Sequence, residues 1–255
     1  MASQPPANNA MPLFYGNVMP LSSDLHPTHG LKPAANLAFA AGTHAIPVTV
    51  DEFTIVQRHY PIVFGVGDNP APLALVGLQE GSNLFIGADN MWEAGVYVPA
   101  FVRRYPFMLA RLNPQSQELS LCFDDTAGII VPDEGERMFD DAKQPTERTK
   151  AILDFCRQFE EAVARTRMFM DEITKLDLIM DGEVQIQREG LEQPAVYRGF
   201  RMIDEQKLQN IRGDQARKMV QNGMLGLAYA HLFSLSLISP LFERQFAASQ
   251  PPSAA

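Results

Sequence analysis

The hydrophobic pattern of this chain changes its period near Pro145, and that change limits the folds open to it. From His44 to Val131 the apolar residues come in short runs bounded by Gly, Pro, Asn and Asp, which is typical of β-strands. From Ile152 to Leu176 they recur every three or four positions, which is typical of an amphipathic α-helix. The sequence therefore predicts an α+β fold, with an antiparallel β-rich N-terminal half packed with long C-terminal helices and a small β-hairpin.

The first half contains several segments with strand character. They read HAIPVTV, YPIVFGV, PLALVGL, NLFIG, YVPAFV, FMLARL and ELSLCF, with turn signals such as Gly67-Asp68-Asn69-Pro70 and Asn113-Pro114 between them. In ELSLCF, the apolar side chains of Leu119, Leu121 and Phe123 alternate with Ser120 and Cys122. Such alternation favours an antiparallel strand with one face toward a core.

A Tyr-Pro pair preceded by basic residues occurs twice in this half. Arg58-His59-Tyr60-Pro61 and Arg103-Arg104-Tyr105-Pro106 share the same order, and an apolar run of strand length follows each. Two interpretations stay open at this point: a duplicated β-hairpin unit, or chance similarity between short strands.

The second half predicts long helices with one hairpin between them. The first helix is expected from about Thr146, its N-cap, to Leu176. Asp181-Gly182 resembles a tight hairpin turn, and the segments 183–188 and 195–202 are candidate strands. Asp204 is expected to cap a short helix, and Asp214 the last long one.

The last helix is uncharged over a long stretch. Met219 to Phe242 carries no Asp, Glu, Lys or Arg, and Gly226, Ala230 and Ser234 form a small-residue strip that favours close helix packing. A membrane span stays open, but the polar residues and Pro240 favour a buried helix of a soluble protein. We expect no integral membrane span.

Charge and composition exclude several classes of protein. A formal net charge of −9 with no long basic stripe argues against nucleic acid as a partner, because a phosphate backbone would be repelled. Cys122 and Cys156 are too few for a disulfide framework and suit buried thiols in a reducing compartment. The segment MASQPPANNAMPLFYG lacks the basic and apolar regions of a secretory signal, so cytoplasmic residence is expected.

Common catalytic signatures are absent from the sequence. It contains no Walker A loop, no HExxH, no GxSxG and no CxxC, and Gly65-Val66-Gly67 lacks the third glycine of a dinucleotide fingerprint, so no cofactor is expected. Asp24, His26 and His29 form a D-x-H-x-x-H cluster that could bind zinc or iron(II), with capping or surface roles as the alternative. His231 is expected to be a core histidine bonded to a backbone carbonyl rather than a catalytic base.

An aromatic and cationic block is the leading candidate for recognition. Trp92, Tyr97, Arg103, Arg104 and Tyr105 lie close together in sequence. If Arg103 and Arg104 lie on a strand, one guanidinium points inward to an ion pair and the other outward. The block then predicts a patch for a carboxylate or a peptide, with a purely structural salt bridge as the alternative.

Several segments carry a family resemblance. They are Tyr60-Pro61-Ile62-Val63-Phe64, Gly81-Ser82-Asn83-Leu84-Phe85, Trp92 with Tyr97-Val98-Pro99-Ala100, Arg103-Arg104-Tyr105-Pro106-Phe107, Phe139-Asp140 with Pro145-Thr146, Gly199-Phe200 with Ile203-Asp204-Glu205 and Lys207-Leu208, and Tyr229-Ala230-His231-Leu232 with Ser234-Leu235. With them the chain, from about Phe14 to Arg244, resembles the SapC family of bacterial proteins. It departs from the family before Trp92, where Asn90-Met91 stand in place of the usual glycine.

The resemblance implies a link to the bacterial cell envelope, through a surface-layer association and labels related to peptide transport. It implies no catalytic mechanism that can be carried over to a residue. We therefore expect a non-enzymatic binding or accessory protein in envelope, surface-layer or peptide-related processes, and the alternative is a metal-dependent enzyme of unknown reaction. The expected partner is a protein or peptide, with self-association left open. The alternative location is the cell surface, reached without a signal peptide.

The expected organisation is a flexible segment at 1–12, a single α+β domain at 13–246 and a flexible tail at 247–255. Within that domain, 44–131 is expected to be β-rich and 146–246 helix-rich.

Overall fold

The computed structural model describes residues 11–33, 36–67, 70–112, 118–187 and 194–249. The predicted turn at Asn113-Pro114, the central residues of the turn at 67–70 and most of both predicted flexible ends lie outside these ranges. The strands are β1 (Val18–Pro20), β2 (His29–Leu31), β3 (Ala45–Pro47), β4 (Ile62–Phe64), β5 (Pro72–Leu75), β6 (Phe107–Ala110), β7 (Ser120–Asp124), β8 (Ile130–Pro132), β9 (Glu136–Arg137), β10 (Ile179–Ile186) and β11 (Ala195–Ile203). The α-helices are α1 (Phe53–Val56), α2 (Ala100–Arg104), α3 (Glu147–Lys175), α4 (Glu205–Gln209), α5 (Gly213–Gln221), α6 (Met224–Ser234) and α7 (Ile238–Ser249).

These elements confirm the α+β fold class, with all strand pairs antiparallel among the described residues. The chain divides into two compact units. Unit 1 comprises Met1–Phe39 and Ala100–Ala164, and unit 2 comprises Ala40–Pro99 and Arg165–Ala255. The boundary falls inside α3, which supplies residues to both units. The single domain at 13–246 stays a prediction.

Unit 1 contains two three-stranded sheets, ordered β1-β7-β6 and β8-β2-β9. Strand β7 alternates as expected. Leu121 and Phe123 pack with Phe107 and Leu109 in one core cluster, which also includes Cys156 of α3. Cys122, on the opposite face, packs with Met108 and Tyr15. Both faces of this hairpin are therefore covered, although the sequence pattern predicted one.

Unit 2 contains a five-stranded sheet ordered β10-β11-β4-β5-β3. Helix α3 begins after Thr146, whose hydroxyl accepts from the Thr149 N–H as an N-cap. Asp204 caps α4 by accepting from the Lys207 N–H, as predicted. The last helix is not continuous, because Gly223 takes a left-handed conformation (φ 78°) that ends α5 and starts α6.

Two predicted strands are absent as such. In YVPAFV, the residues 97–99 are irregular and Ala100 to Val102 form the start of helix α2. The NLFIG segment forms only an isolated bridge between Ile86 and Trp92. The apolar run is too short for its period to distinguish a strand from a helix. The helix forms because it buries Phe101, Val102 and Arg104 together. Helix α2 ends directly before Tyr105-Pro106, since a residue before proline disfavours helical backbone.

Asp181-Gly182 is also not a turn. Both residues lie within β10, and the register with β11 shifts between Gly182 and Glu183, which marks a β-bulge. A Cβ added at Gly182 would collide with the ring of Phe200, so only glycine lets the two strands approach here.

The two Tyr-Pro segments occupy the same position in the same order of elements. Helix α1 precedes Tyr60-Pro61 and the hairpin β4–β5, while α2 precedes Tyr105-Pro106 and the hairpin β6–β7. In each copy the second hairpin strand also pairs antiparallel with an earlier strand, β5 with β3 and β7 with β1. One copy lies in each unit, and this shared order supports a duplicated unit over chance similarity.

Helix α6 supplies hydrogen-bond acceptors where strands β4 and β11 of unit 2 stop pairing. Strands β4 and β11 pair at Phe64 and Arg201, and continuing that antiparallel register would bring Ile62 opposite Ile203. Instead the Ile203 N–H donates to Nε2 of His231 (3.1 Å), and the Ile62 N–H donates to Oγ of Ser234 (2.8 Å). His231 is thus a core side chain as predicted, but it accepts from a backbone amide where a carbonyl partner was expected.

Candidate recognition surface

Arg104 is held inside unit 1. It is 5% exposed, and its Nη1 lies 3.3 Å from Oε1 of Glu160. The guanidinium lies over the rings of Phe159 (4.3 Å) and Phe101 (5.0 Å), in the geometry of cation–π contacts. This arginine fixes α2 against α3 within unit 1.

The side chain of Arg103 points toward solvent. It is exposed, and its guanidinium lies 5.3 Å from the centre of the Phe155 ring. One arginine points in and the other out, as the sequence suggested, but the cause is a helix. Consecutive helical residues point about 100° apart, so Arg103 and Arg104 separate without any strand.

An aromatic cluster surrounds Tyr105. The Tyr105 ring lies 4.3 Å from that of Phe39 and 6.3 Å from that of Phe14, and Phe14 in turn lies 5.1 Å from Phe39. These three rings are only partly buried, whereas Tyr15, 5.2 Å from Tyr105, is buried. We call Phe14, Phe39 and Tyr105 the aromatic cluster of unit 1.

Asp124 anchors this cluster from beneath. Its carboxylate accepts from the Tyr105 hydroxyl (3.1 Å) and from the backbone N–H groups of Gly16 (2.7 Å), Asn17 (3.1 Å) and Thr126 (3.0 Å). Burial opposes its ionisation, but the hydrogen bonds from Thr126, Gly16 and Asn17 outweigh that effect and lower the pKa of Asp124. Burial also raises the pKa of Tyr105, and the neighbouring Asp124 carboxylate adds to the rise. The sequence offered no signal for this role beyond an aspartate at a strand end.

Trp92 and Tyr97 belong to unit 2 and are described there. Trp92 is 8% exposed, and its Nε1 donates to the Tyr60 hydroxyl (2.9 Å). The Tyr60 hydroxyl donates to the carbonyl of Tyr97 (2.6 Å), and the Tyr97 hydroxyl donates to Glu52 (3.1 Å). The chain still turns before Trp92 without the family's glycine, because Asn90 adopts φ 59°.

The histidine cluster lies in unit 1. The rings of His26 and His29 meet edge to face at 4.8 Å, while the Asp24 carboxylate is paired with Nζ of Lys143 (2.7 Å). Nδ1 of His26 accepts from the Ser22 N–H (3.2 Å). No group of three or more His, Cys, Asp or Glu side chains arranged to hold a metal ion occurs among the described residues.

The described residues of unit 2 form clefts that sequence reasoning did not identify, among them the following two. One, of about 180 Å³, lies between the hairpin β10–β11 and α7, where Tyr197, Phe242 and Gln245 contribute to its wall. The other, of about 540 Å³, is lined by polar side chains that include Asp177, Asp181 and Arg201. The predicted recognition residues line neither of these two.

The C-terminal helices leave apolar side chains in solvent. Within the described residues, one helical segment, Met224–Ala248, is long and apolar enough to cross a membrane, and 33% of its most apolar window is buried. Phe233 on α6 is 66% exposed, and its ring lies 5.7 Å from that of Tyr229. Length and composition of one such helix are weak evidence for a span.

Comparison with known proteins adds a family. No curated protein and no solved structure matches the chain. The SapC family model matches residues 21–241, which is most of the sequence and includes both Tyr-Pro segments, the histidine cluster and α6. The chain therefore belongs to the SapC family.

Proposed function

We propose that this protein is a non-enzymatic binding or accessory protein that holds a peptide or protein segment in envelope, surface-layer or peptide-related processes. Membership of the SapC family supports the envelope association. The observation that carries the binding role is the aromatic cluster of unit 1. Its three rings lie with their centres 4.3 to 6.3 Å apart in tilted and edge-to-face contacts, and each ring is partly exposed.

This arrangement suits the capture of an apolar or aromatic side chain. Partly exposed aromatic rings supply a large contact area at small entropic cost, because they have few rotatable bonds. The cluster is also held in place, since Tyr105 is fixed by Asp124 and α2 is fixed by the pair of Arg104 with Glu160. A rigid surface binds more tightly than one that must be ordered first.

Arg103 supplies the polar half of the proposed surface. Its guanidinium is exposed and lies over the Phe155 ring, and its positive charge attracts a carboxylate, such as the C-terminus or an acidic side chain of a peptide. Arg104 is a positioning residue in this proposal, because its charge is used within unit 1. Trp92 and Tyr97 stay predicted recognition residues of unit 2, with their polar atoms engaged by Tyr60 and Glu52.

A defined peptide set tests the proposal. The probes are acetylated tetrapeptides that end in Phe, Tyr, Leu or Ser, each with a free and with an amidated C-terminus, and binding is followed by fluorescence polarisation. We expect the full chain to prefer aromatic peptides with a free carboxylate. Arg103→Ala should weaken their binding about tenfold, which corresponds to about 1.4 kcal/mol.

The matched control is Arg157→Ala, which removes an exposed arginine of α3 that pairs with Asp154. It should leave peptide binding unchanged, while Phe39→Ala should reduce it. Equal affinity in wild type, Arg103→Ala and Phe39→Ala would remove the basis of the proposal. Cell fractionation of the native bacterium tests the expected cytoplasmic residence against exposure at the cell surface.

A further inference from the structure

The sequence contains one Asn-Gly pair, Asn222-Gly223, and the fold places it at the junction between α5 and α6. Both residues are exposed, and nothing lies within 4 Å of the position that a Cβ would take at Gly223. Gly223 adopts φ 78°, so the chain turns between the two helices at this residue. Water therefore has access to the pair.

The side chain of Asn222 folds over the peptide bond that follows it. Its Oδ1 accepts from the Met224 N–H (3.1 Å), which closes an Asx-turn around the Gly223 nitrogen. The same hydrogen bond draws electrons away from the side-chain amide carbon. That carbon is thus held close to the Gly223 nitrogen and is made more open to attack by it.

The Gly223 nitrogen is only weakly engaged by the end of α5. Its N–H donates to the Val220 carbonyl at 3.3 Å, beyond the usual length of such a bond. Helix ends fray, and local opening of this kind requires little free energy compared with unfolding of the whole protein. The nitrogen can therefore be released while α5 and α6 stay folded.

We propose that Asn222 converts without an enzyme to aspartate and isoaspartate, through a cyclic imide formed with Gly223. The Gly223 nitrogen bonds to the side-chain amide carbon, the C–NH2 bond breaks, and the proton of the peptide nitrogen leaves with the amine as ammonia. Water then opens one of the two C–N bonds of the imide. Ring closure is unhindered because glycine has no Cβ.

The two products change the junction differently. Aspartate keeps the acceptor for the Met224 N–H and adds a negative charge at the N-terminal end of α6, where the helix dipole favours it. Isoaspartate adds a methylene to the main chain between α5 and α6, whereas His231 and Ser234 fix the position of α6 in the sheet. The isoaspartate form therefore strains the attachment of α6, and the aspartate form preserves it.

The chain also contains a matched site in a rigid element. Asp181-Gly182 can form the same imide with loss of water, but it lies within the ladder of β10 and β11, where Gly182 is buried against the Phe200 ring. The Asp181 side chain is 95% exposed, so access of water does not distinguish the two sites. Asp181→Asn places the Asn-Gly dipeptide in this strand.

Mass spectrometry of the full-length protein tests the proposal. Wild type and Asp181→Asn are incubated at neutral and mildly alkaline pH, folded and in urea, and the tryptic peptides 219–244 and 176–188 are followed for the replacement of NH2 by OH. The measured quantity is the ratio of the folded to the unfolded rate at each site. We expect a ratio near unity at Asn222 and one about tenfold lower at position 181, because a paired strand opens less readily than a helix end.

Labelling by an isoaspartate-specific methyltransferase identifies the second product, and circular dichroism shows that each variant is folded. Asn222→Gln should give no product in peptide 219–244, since glutamine would have to close a larger ring. An Asn222 that stays unchanged in the folded protein but converts in urea overturns the proposal, as does product that persists in Asn222→Gln. Equal ratios at the two sites would show that the junction does not direct the reaction.

Discussion

Asp124 shows how one residue fixes a surface. A single buried carboxylate accepts hydrogen bonds from three backbone amides and from Tyr105, so it holds the segment at Gly16 and Asn17 against the hairpin β6–β7. Without it, the N–H groups of Gly16 and Asn17 would lose this partly buried acceptor. Hydrogen bonds to a charged group contribute about 1.5–3 kcal/mol each.

We predict that Asp124→Ala lowers the free energy of unfolding by about 2–4 kcal/mol. The matched control is Asp125→Ala, which removes an exposed carboxylate that accepts from the side-chain amide of Asn17. It should cost less than about 1 kcal/mol. Urea unfolding measures both, and similar losses for the two variants would contradict the assigned role of Asp124.

His231 gives the fold a pH dependence. Burial lowers its pKa from 6.5 to about 3, so the folded protein keeps the ring neutral. The unfolded chain takes up a proton near pH 6.5 and is favoured as the pH falls below that value. His26 acts in the same direction, because burial and the neighbouring His29 lower its pKa.

We therefore predict that stability declines below about pH 6.5, by up to about 1.4 kcal/mol per pH unit for His231. The informative quantity is the slope of the unfolding free energy against pH between pH 6.5 and 5, since the carboxylates titrate below that range. In His231→Gln the amide can still accept from Ile203 but does not titrate, so the slope should flatten. An unchanged slope in His231→Gln, measured by urea unfolding across this window, would contradict the prediction.

At the scale of elements, the hairpin β10–β11 depends on one close approach. Gly182 lies at the bulge and touches the ring of Phe200, where any Cβ would collide. We predict that Gly182→Ala destabilises the protein by about 1–3 kcal/mol through overpacking. Phe200→Leu removes the ring edge, so the double variant should lose less than the sum of the single losses.

Thermal unfolding of the four proteins in this cycle measures the coupling. Gly213→Ala serves as the control, because nothing lies within 4 Å of the position of a Cβ there. Additive losses for Gly182→Ala and Phe200→Leu would show that the collision does not determine the cost.

The repeated order of elements is also a finding at this scale. A short helix, a Tyr-Pro pair and an antiparallel hairpin occur once in each unit, and the tyrosine hydroxyl is anchored in both. The partners differ, since Tyr60 donates to the backbone carbonyl of Tyr97 whereas Tyr105 donates to the Asp124 carboxylate. The two copies thus share the same order of elements, while the hydrogen-bond partners of their tyrosines differ.

At the scale of the whole molecule, each unit contains residues whose signal reports its own unfolding. Trp92 is the single tryptophan and lies in unit 2, while Cys122 and Cys156 are buried in unit 1. Burial raises the pKa of the Cys156 thiol to about 12, and burial also raises that of Cys122. Neither thiol should react with a thiol reagent until unit 1 opens.

We predict that tryptophan fluorescence and thiol reactivity report one unfolding transition in urea. The reason is that α3 contributes residues to both units, so the loss of one unit removes packing from the helix that the other uses. Coincident midpoints would support the single domain predicted for 13–246. Two separated midpoints, with the thiols exposed while Trp92 stays in its folded environment, would contradict it.

Local sequence patterns foretold much of the fold. The three- and four-residue spacing after Pro145 predicted α3, the alternation in ELSLCF predicted β7, and Asp204 predicted the start of α4. These patterns gave wrong predictions where contacts with residues distant in sequence determine the local structure. The run Ala100 to Arg104 is too short to show its period, and Gly182 is needed for a bulge rather than for a turn.

The sequence by itself determined the α+β class, the SapC family and the block of aromatic and arginine residues from which a binding role is proposed. Only the tertiary structure decided that Arg104 is buried against Glu160, that Asp124 supports the aromatic cluster, and that His231 and Ser234 hold α6 in the sheet. The physical reason is range. Backbone periodicity and caps act between residues a few positions apart, whereas burial, ion pairing and the satisfaction of buried amides depend on partners far apart in the chain.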